Sequence, residues 1–133
     1  MTLQLATSTR NAMLDAIETD AGTSAILKIR TGAQPADCGT ADSGTVLATL
    51  NLPSDWMNAA SSGQKTKLGT WQDAAADAAG TAGHFRLYKN DGTTCIAQGS
   101  CGIGSGDLQL DNTSIAVGQV VTVTAFTLTA GNP

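Results

Sequence analysis

Apolar and polar residues alternate with a period of two in many short segments of this chain, and Gly, Asn, Asp and Pro interrupt the alternation at short intervals. The longest such segment is Gln119–Thr129, near the end of the sequence. Val120, Thr122, Thr124, Phe126 and Leu128 alternate there with Val121, Val123, Ala125, Thr127 and Thr129. Both sets are β-branched, aromatic or small, so the pattern predicts a strand that is covered on both faces. Upstream, Ser24–Thr31 predicts a strand with Leu27 and Ile29 inward and Lys28 and Arg30 in water. Thr45–Leu52 predicts a second core strand, stopped by Pro53. Lys65–Trp71 reads as a strand with both lysines outward. Gly83–Lys89 and Thr93–Gln98, joined by Asn90-Asp91-Gly92, predict a β-hairpin. Asp107–Leu110 and Thr113–Val117 complete the strands.

Only one segment follows the helical period. Ser8 or Thr9 is placed to cap a helix over residues 9–21, with Met13, Leu14 and Ile17 as its apolar stripe, Asp15, Glu18 and Asp20 on its wet side, and Gly22 as the stop. Residues 1–7 form an arm in which Leu3 and Leu5 alternate with Thr2 and Gln4, a pattern suited to adding an edge strand to this sheet or a neighbour's. The alanine-rich stretch Asp73–Gly80 is helical by propensity but reads as a loop from its setting between strands. Residues 130–133 are a polar tail. The expected architecture is mainly β. It is a single-domain β-sandwich, jelly-roll-like, of about seven or eight strands over residues 8–129, with one N-terminal helix.

Composition changes this picture in two ways. The chain has 133 residues, enough for a core without staples, yet aromatic residues are 4% and charged residues 14% of it. Its surface is therefore rich in hydroxyls and small residues, and the two tryptophans, Trp56 and Trp71, are a large share of the aromatic area. The net charge of −4 with scattered basic residues argues against direct nucleic-acid binding. No apolar run is long enough for a membrane span, and the first residues lack the basic and apolar regions of a signal peptide, so synthesis is expected in the cytosol. Three cysteines, Cys38, Cys95 and Cys101, are then expected as free thiols. The alternative is a late disulfide, with Cys95 and Cys101 placed to meet across a loop.

Candidate chemistry is sparse. His84 is the single histidine and sits in a strand without a nucleophile at motif spacing, which favours a structural role. Asp73 and Asp77 are four apart but lie in a loop-like context. Gly99–Gly106 contains Gly102-Ile103-Gly104 without the lysine and helix of a phosphate loop, and reads as a flexible connection. No catalytic, cofactor or metal set is expected. Trp56 and Trp71 anchor either the core or an interface.

Several segments together carry a resemblance. They are Arg10–Ile17, Ala25–Pro35, Gly80–Tyr88 with Asp91–Thr94, and Gly106–Asn112 with Gly118-Gln119 and Phe126–Thr129. In these the chain resembles a family of small structural proteins of tailed bacteriophages and prophages. The resemblance runs from about Ser8 to the end of the sequence, and its motifs are turns and strands rather than a site. It implies a multi-copy virion component without enzymatic activity or cofactor, similar to capsid cement (decoration) proteins. Such a protein sits on the outer capsid surface, bound to the major capsid protein and to copies of itself, after assembly in the bacterial cytoplasm. The alternatives are a tail or head-tail connector component, and a host-attachment module in which Trp56 or Trp71 stacks on a carbohydrate. The expected interface residues are Leu3, Leu5, Trp56, Trp71, Phe126 and Leu128.

Overall fold

A computed structural model describes residues 2–132. The chain is mainly β with one helix near its start. Helix α1 spans Thr7–Ala21, and nine strands follow: β1 Ile26–Thr31, β2 Val46–Asn51, β3 Gln64–Thr66, β4 Gln72–Asp73, β5 Gly80–Tyr88, β6 Cys95–Gly102, β7 Leu108–Leu110, β8 Ser114–Ile115 and β9 Val121–Thr129. They join in one sheet of order β2-β1-β5-β6-β7-β9-β3, with β4 also on β9 and β8 also on β5. Every pairing is antiparallel except β6 with β7.

The sheet curls until its two flanks face each other. Phe85 of β5 meets Phe126 of β9 edge-on at 5.6 Å, and Phe126 meets Trp71 at 5.5 Å. Leu27, Ile29, Leu47, Leu50, Trp56, Leu87, Leu108, Leu110, Val121 and Val123 fill the space between. The outer edge of β2 does not remain open. Thr49 donates its backbone N–H to Asp73 Oδ2, and Asp77 donates to the Leu47 carbonyl, so the segment after β4 closes that edge. That segment carries no helix, as the loop reading of Asp73–Gly80 expects.

β-Bulges account for where the period-two pattern drifts. On β9, Ala125 pairs Gln109 and Val123 pairs Leu110, so Thr124 is an extra residue. The bulge moves the inward phase from Val121 and Val123 to Phe126 and Leu128. The predicted strand is therefore covered in two alternating registers rather than on both faces throughout, and Thr124, Thr127 and Thr129 are exposed. Gly83 is the extra residue of β5 opposite Arg30 and Thr31. A Cβ there would collide with the Gly32 backbone, so only glycine lets the chain leaving β1 cross so close.

The hairpin after β5 forms at Asn90-Asp91-Gly92, where Asp91 accepts from the backbone N–H groups of Thr93 and Thr94. β6 runs further than expected. The strand continues through Gly99 to Gly102, so the glycine-rich stretch is half strand, with only residues 103–107 as the connection. Lys65–Trp71 is a strand only over Gln64–Thr66 at its start.

Helix α1 departs most from its sequence pattern. It begins at Thr7 with Ala6 at the cap position and no side-chain cap, instead of a Ser8 or Thr9 cap. Of the expected stripe only Leu14 is buried, while Met13 is 53% exposed. Polar groups on the side expected to be wet dock the helix instead, with Asp15 and Glu18 paired to Lys65.

Candidate functional site

Two charged clusters and one apolar end are the features from which function can be argued. The first cluster centres on Asp42, in the loop between β1 and β2. Its carboxylate takes Arg86 Nη1 at 2.6 Å, Arg30 Nη2 at 3.0 Å and the Tyr88 hydroxyl at 2.6 Å. Arg86 also donates to the carbonyls of Asp37 and Thr40 and to Gln98 Oε1. Gln98 Nε2 donates to the Pro35 carbonyl. The alternation in β1 predicts Arg30 in water, yet the loop folds over that face and leaves Arg30 7% and Arg86 2% exposed. The loop brings its own carboxylate and carbonyls to the buried guanidinium groups, whose Nη atoms donate to them.

The same loop carries a disulfide. Cys38 is bonded to Cys95 at the start of β6, with Cα atoms 5.4 Å apart, and Cys101 is free. This corrects the expectation of three free thiols, and also the alternative pairing. Cys95 and Cys101 both lie on β6, and six residues of extended strand separate them by about 20 Å. Burial pushes the Cys101 thiol up to about 12, helped by the negative charge of Asp107.

The second cluster holds α1. Lys65 Nζ donates to Asp15 Oδ1 at 2.7 Å and to the Asn58 carbonyl at 2.9 Å, and pairs with Glu18 Oε2 at 2.8 Å. Lys65 was expected outward but is 2% exposed. Ala60 and Met57 donate their backbone N–H groups to Asp15 and Glu18, and Gly63 donates to Asn11 Oδ1. The helix is therefore pinned along one side by charge and hydrogen bonds, which a search for an apolar stripe cannot find. Replacing Lys65 with methionine is expected to cost about 1–2 kcal/mol in urea unfolding, because Asp15 and Glu18 remain accessible to water once unpaired.

These contacts set a pH dependence. Hydrogen bonds from Lys65 and the Ala60 N–H hold Asp15 below the ordinary 3.8. Burial pushes Asp42 up, but the Tyr88 hydroxyl and the Arg86 guanidinium outweigh it and leave its pKa lowered. The Thr94 hydroxyl and the Thr94 and Thr93 N–H groups bring Asp91 to about 2. Lowered carboxylates contribute stability that is complete above 3.8 and lost as pH falls through their folded values. The melting temperature is expected to fall steeply between about pH 4 and pH 2, and a flat profile there would contradict these clamps. Lys65 acts at the other end. Burial lowers it, but Asp15 and Glu18 outweigh that and raise it above 10.5, so its contribution is complete below that value and lost as pH rises through the folded one.

The expected interface residues separate into two groups. Trp56 is 0%, Trp71 1% and Phe126 4% exposed. Trp71 donates its indole N–H to the Trp56 and Leu68 carbonyls, and Trp56 donates to Gly22. Both tryptophans are core, so neither is presented to stack on a sugar. Leu128 is half-buried against the core. Leu3 is 79% and Leu5 37% exposed. Leu5 is tied to the tail, its N–H donating to Asn132 Oδ1 and its carbonyl accepting from Asn132 Nδ2, while Arg10 donates to the Ala130 carbonyl. The arm and the tail thus share one end of the fold, and their described residues form no strand.

His84 is buried, with Nδ1 2.9 Å from the Gly32 carbonyl. Asp73 and Asp77 serve β2, through the Thr49 N–H and hydroxyl respectively. Asp42 has no local sequence signal beyond its place in a loop, because the arginines it pairs lie on two separate strands. No family model matches the chain, and no curated protein or solved structure does either.

Proposed function

We propose that this chain is a non-enzymatic structural component of a tailed-phage virion, a capsid cement protein that binds the outer capsid surface and ties neighbouring major capsid proteins together. One observation carries the reading. A module braced across its elements by a disulfide and two charge clamps presents an apolar arm, Leu3 to Leu5, at a single end. Charged groups that serve chemistry in other proteins are used here to fix loop to sheet and helix to strand. The resemblance in the turn and strand motifs supports the same assignment. Mechanically, such a unit adds buried area at a lattice junction, on the order of 1,600 Å² for a standard interface. Repetition over equivalent junctions makes many weak contacts break together.

The test is the ratio of this protein to the major capsid protein in purified particles. A ratio on the scale of the capsid lattice supports cement. A single ring's worth of copies would move the assignment to the tail or the head-tail connector, and absence from particles would end it.

A further inference from the structure

β6 and β9 are bridged by β7 along only part of their length. β7 pairs β6 at Cys101 and Gly102, and pairs β9 from Val123 to Phe126. Before Leu108 the chain turns away, so Gln98–Ser100 of β6 and Thr127–Thr129 of β9 face one another with no strand between them among the described residues, the Asp107 carboxylate closing the Ser100 end. The hydrogen bonds fix which groups face this slit. Phe126 O accepts from Lys67, and Ala130 N donates to Gly63, both on the β3 side. By alternation, the backbone groups of Thr127 and Thr129 point into the slit. On the opposite wall, Ser100 donates its N–H to Asp107 Oδ2, across the slit side of β6, which places the Gln98 backbone on the same side. The floor is apolar. Phe85, Ala97, Phe126 and Leu128 line a crevice of about 420 Å³. It runs on, through Ala97, Phe126 and Leu128, into a second of about 320 Å³ under Met13 and Ile17 of α1.

We infer that this slit accepts one strand, and that its occupant is the Thr2–Ala6 segment of a second copy of this chain. The gap continues the line of β7, so it has the width of one strand, and both walls offer main-chain groups to pair with it. Thr2–Leu5 extended is about 13 Å long, against about 10 Å for three residues of β9. Its pattern fits the site: Leu3 and Leu5 turn to the Phe85–Phe126 floor while Thr2 and Gln4 turn to solvent. Within its own chain the segment does not fill the slit. Leu3 is 79% exposed, and both backbone groups of Leu5 are held by Asn132. This proposal is independent of the virion assignment.

Mixing two single variants tests it, Gln4→Cys and either Thr127→Cys or Thr129→Cys, followed by oxidation and non-reducing electrophoresis. Directly paired, outward-facing residues of neighbouring strands lie close enough to crosslink. A heterodimer is expected from the mixture and none from Gln4→Cys with unmodified protein, which controls for Cys101. The paired variant Leu3→Asp/Leu5→Asp, both at exposed positions, is expected to run at monomer mass in light scattering where the unmodified protein runs larger, with unchanged circular dichroism. No heterodimer, or a crosslink formed only within one chain by Gln4→Cys/Thr127→Cys, would overturn the inference.

Discussion

Replacing Asp42 with alanine is expected to cost about 3 kcal/mol of folding stability, read as a lower urea midpoint at unchanged slope. The size follows from what is left behind. Arg30 and Arg86 have side chains 8% and 2% exposed, and both lose their carboxylate at once. The Tyr88 hydroxyl, 2.6 Å from Asp42, loses its acceptor too. Breaking a buried pair from one side costs about 3–5 kcal/mol. The lower end applies here for two reasons. The Asp42 side chain is itself 38% exposed, so water enters readily where it stood. Arg86 also keeps the Asp37 and Thr40 carbonyls and Gln98. Asp42→Asn, which keeps the shape and one acceptor, is expected to cost less. Asp55→Ala, at an exposed site, should change stability by under about 0.5 kcal/mol. A loss at Asp42→Ala no larger than at Asp55→Ala would mean that water replaces the carboxylate fully.

The same cluster shows what could be read in the sequence and what could not. The hairpin at Asn90-Asp91-Gly92, the core strands and the loop at Asp73–Gly80 follow from local turn chemistry and alternation, and the fold realises them. Alternation in β1 and β5 separates Arg30 and Arg86 from Leu27, Phe85 and Leu87, but it says nothing about what covers the polar face. That is decided by a loop returning from residues 32–44, a tertiary event with no local signature. Lys65 fails for the same reason, because its partners Asp15 and Glu18 lie on a helix 50 residues earlier. Burial of the tryptophans follows from the scarcity of other large side chains: a core with so few aromatics places the ones it has at its centre. The apolar arm was legible as a pattern. Its acceptor was not, since the slit exists only because β7 is three residues long between two longer strands.

Removing the Cys38–Cys95 bond, by Cys38→Ala with Cys95→Ala, is expected to cost about 4 kcal/mol. The bond closes a loop of sequence separation 57, and that is the chain entropy it removes from the unfolded state. The folded state should change little, because the loop stays attached through Arg86 to the Asp37 and Thr40 carbonyls and through Gln98 to the Pro35 carbonyl. Two signatures separate an unfolded-state effect from a damaged native fold. The urea slope should rise, as the uncrosslinked chain exposes more surface on unfolding, and near-ultraviolet circular dichroism of the folded variant should match the parent. The triple variant with Asp42→Ala is expected to lose more than the two losses added together. Bond and carboxylate hold the same loop, and removing either leaves the other to keep Arg30 and Arg86 covered; removing both frees the loop and exposes that face. Strict additivity would place the two restraints in separate units. A loss under about 1 kcal/mol from the cysteine pair alone would show that the unfolded chain is already confined without the bond, and would overturn the chain-entropy account of its contribution.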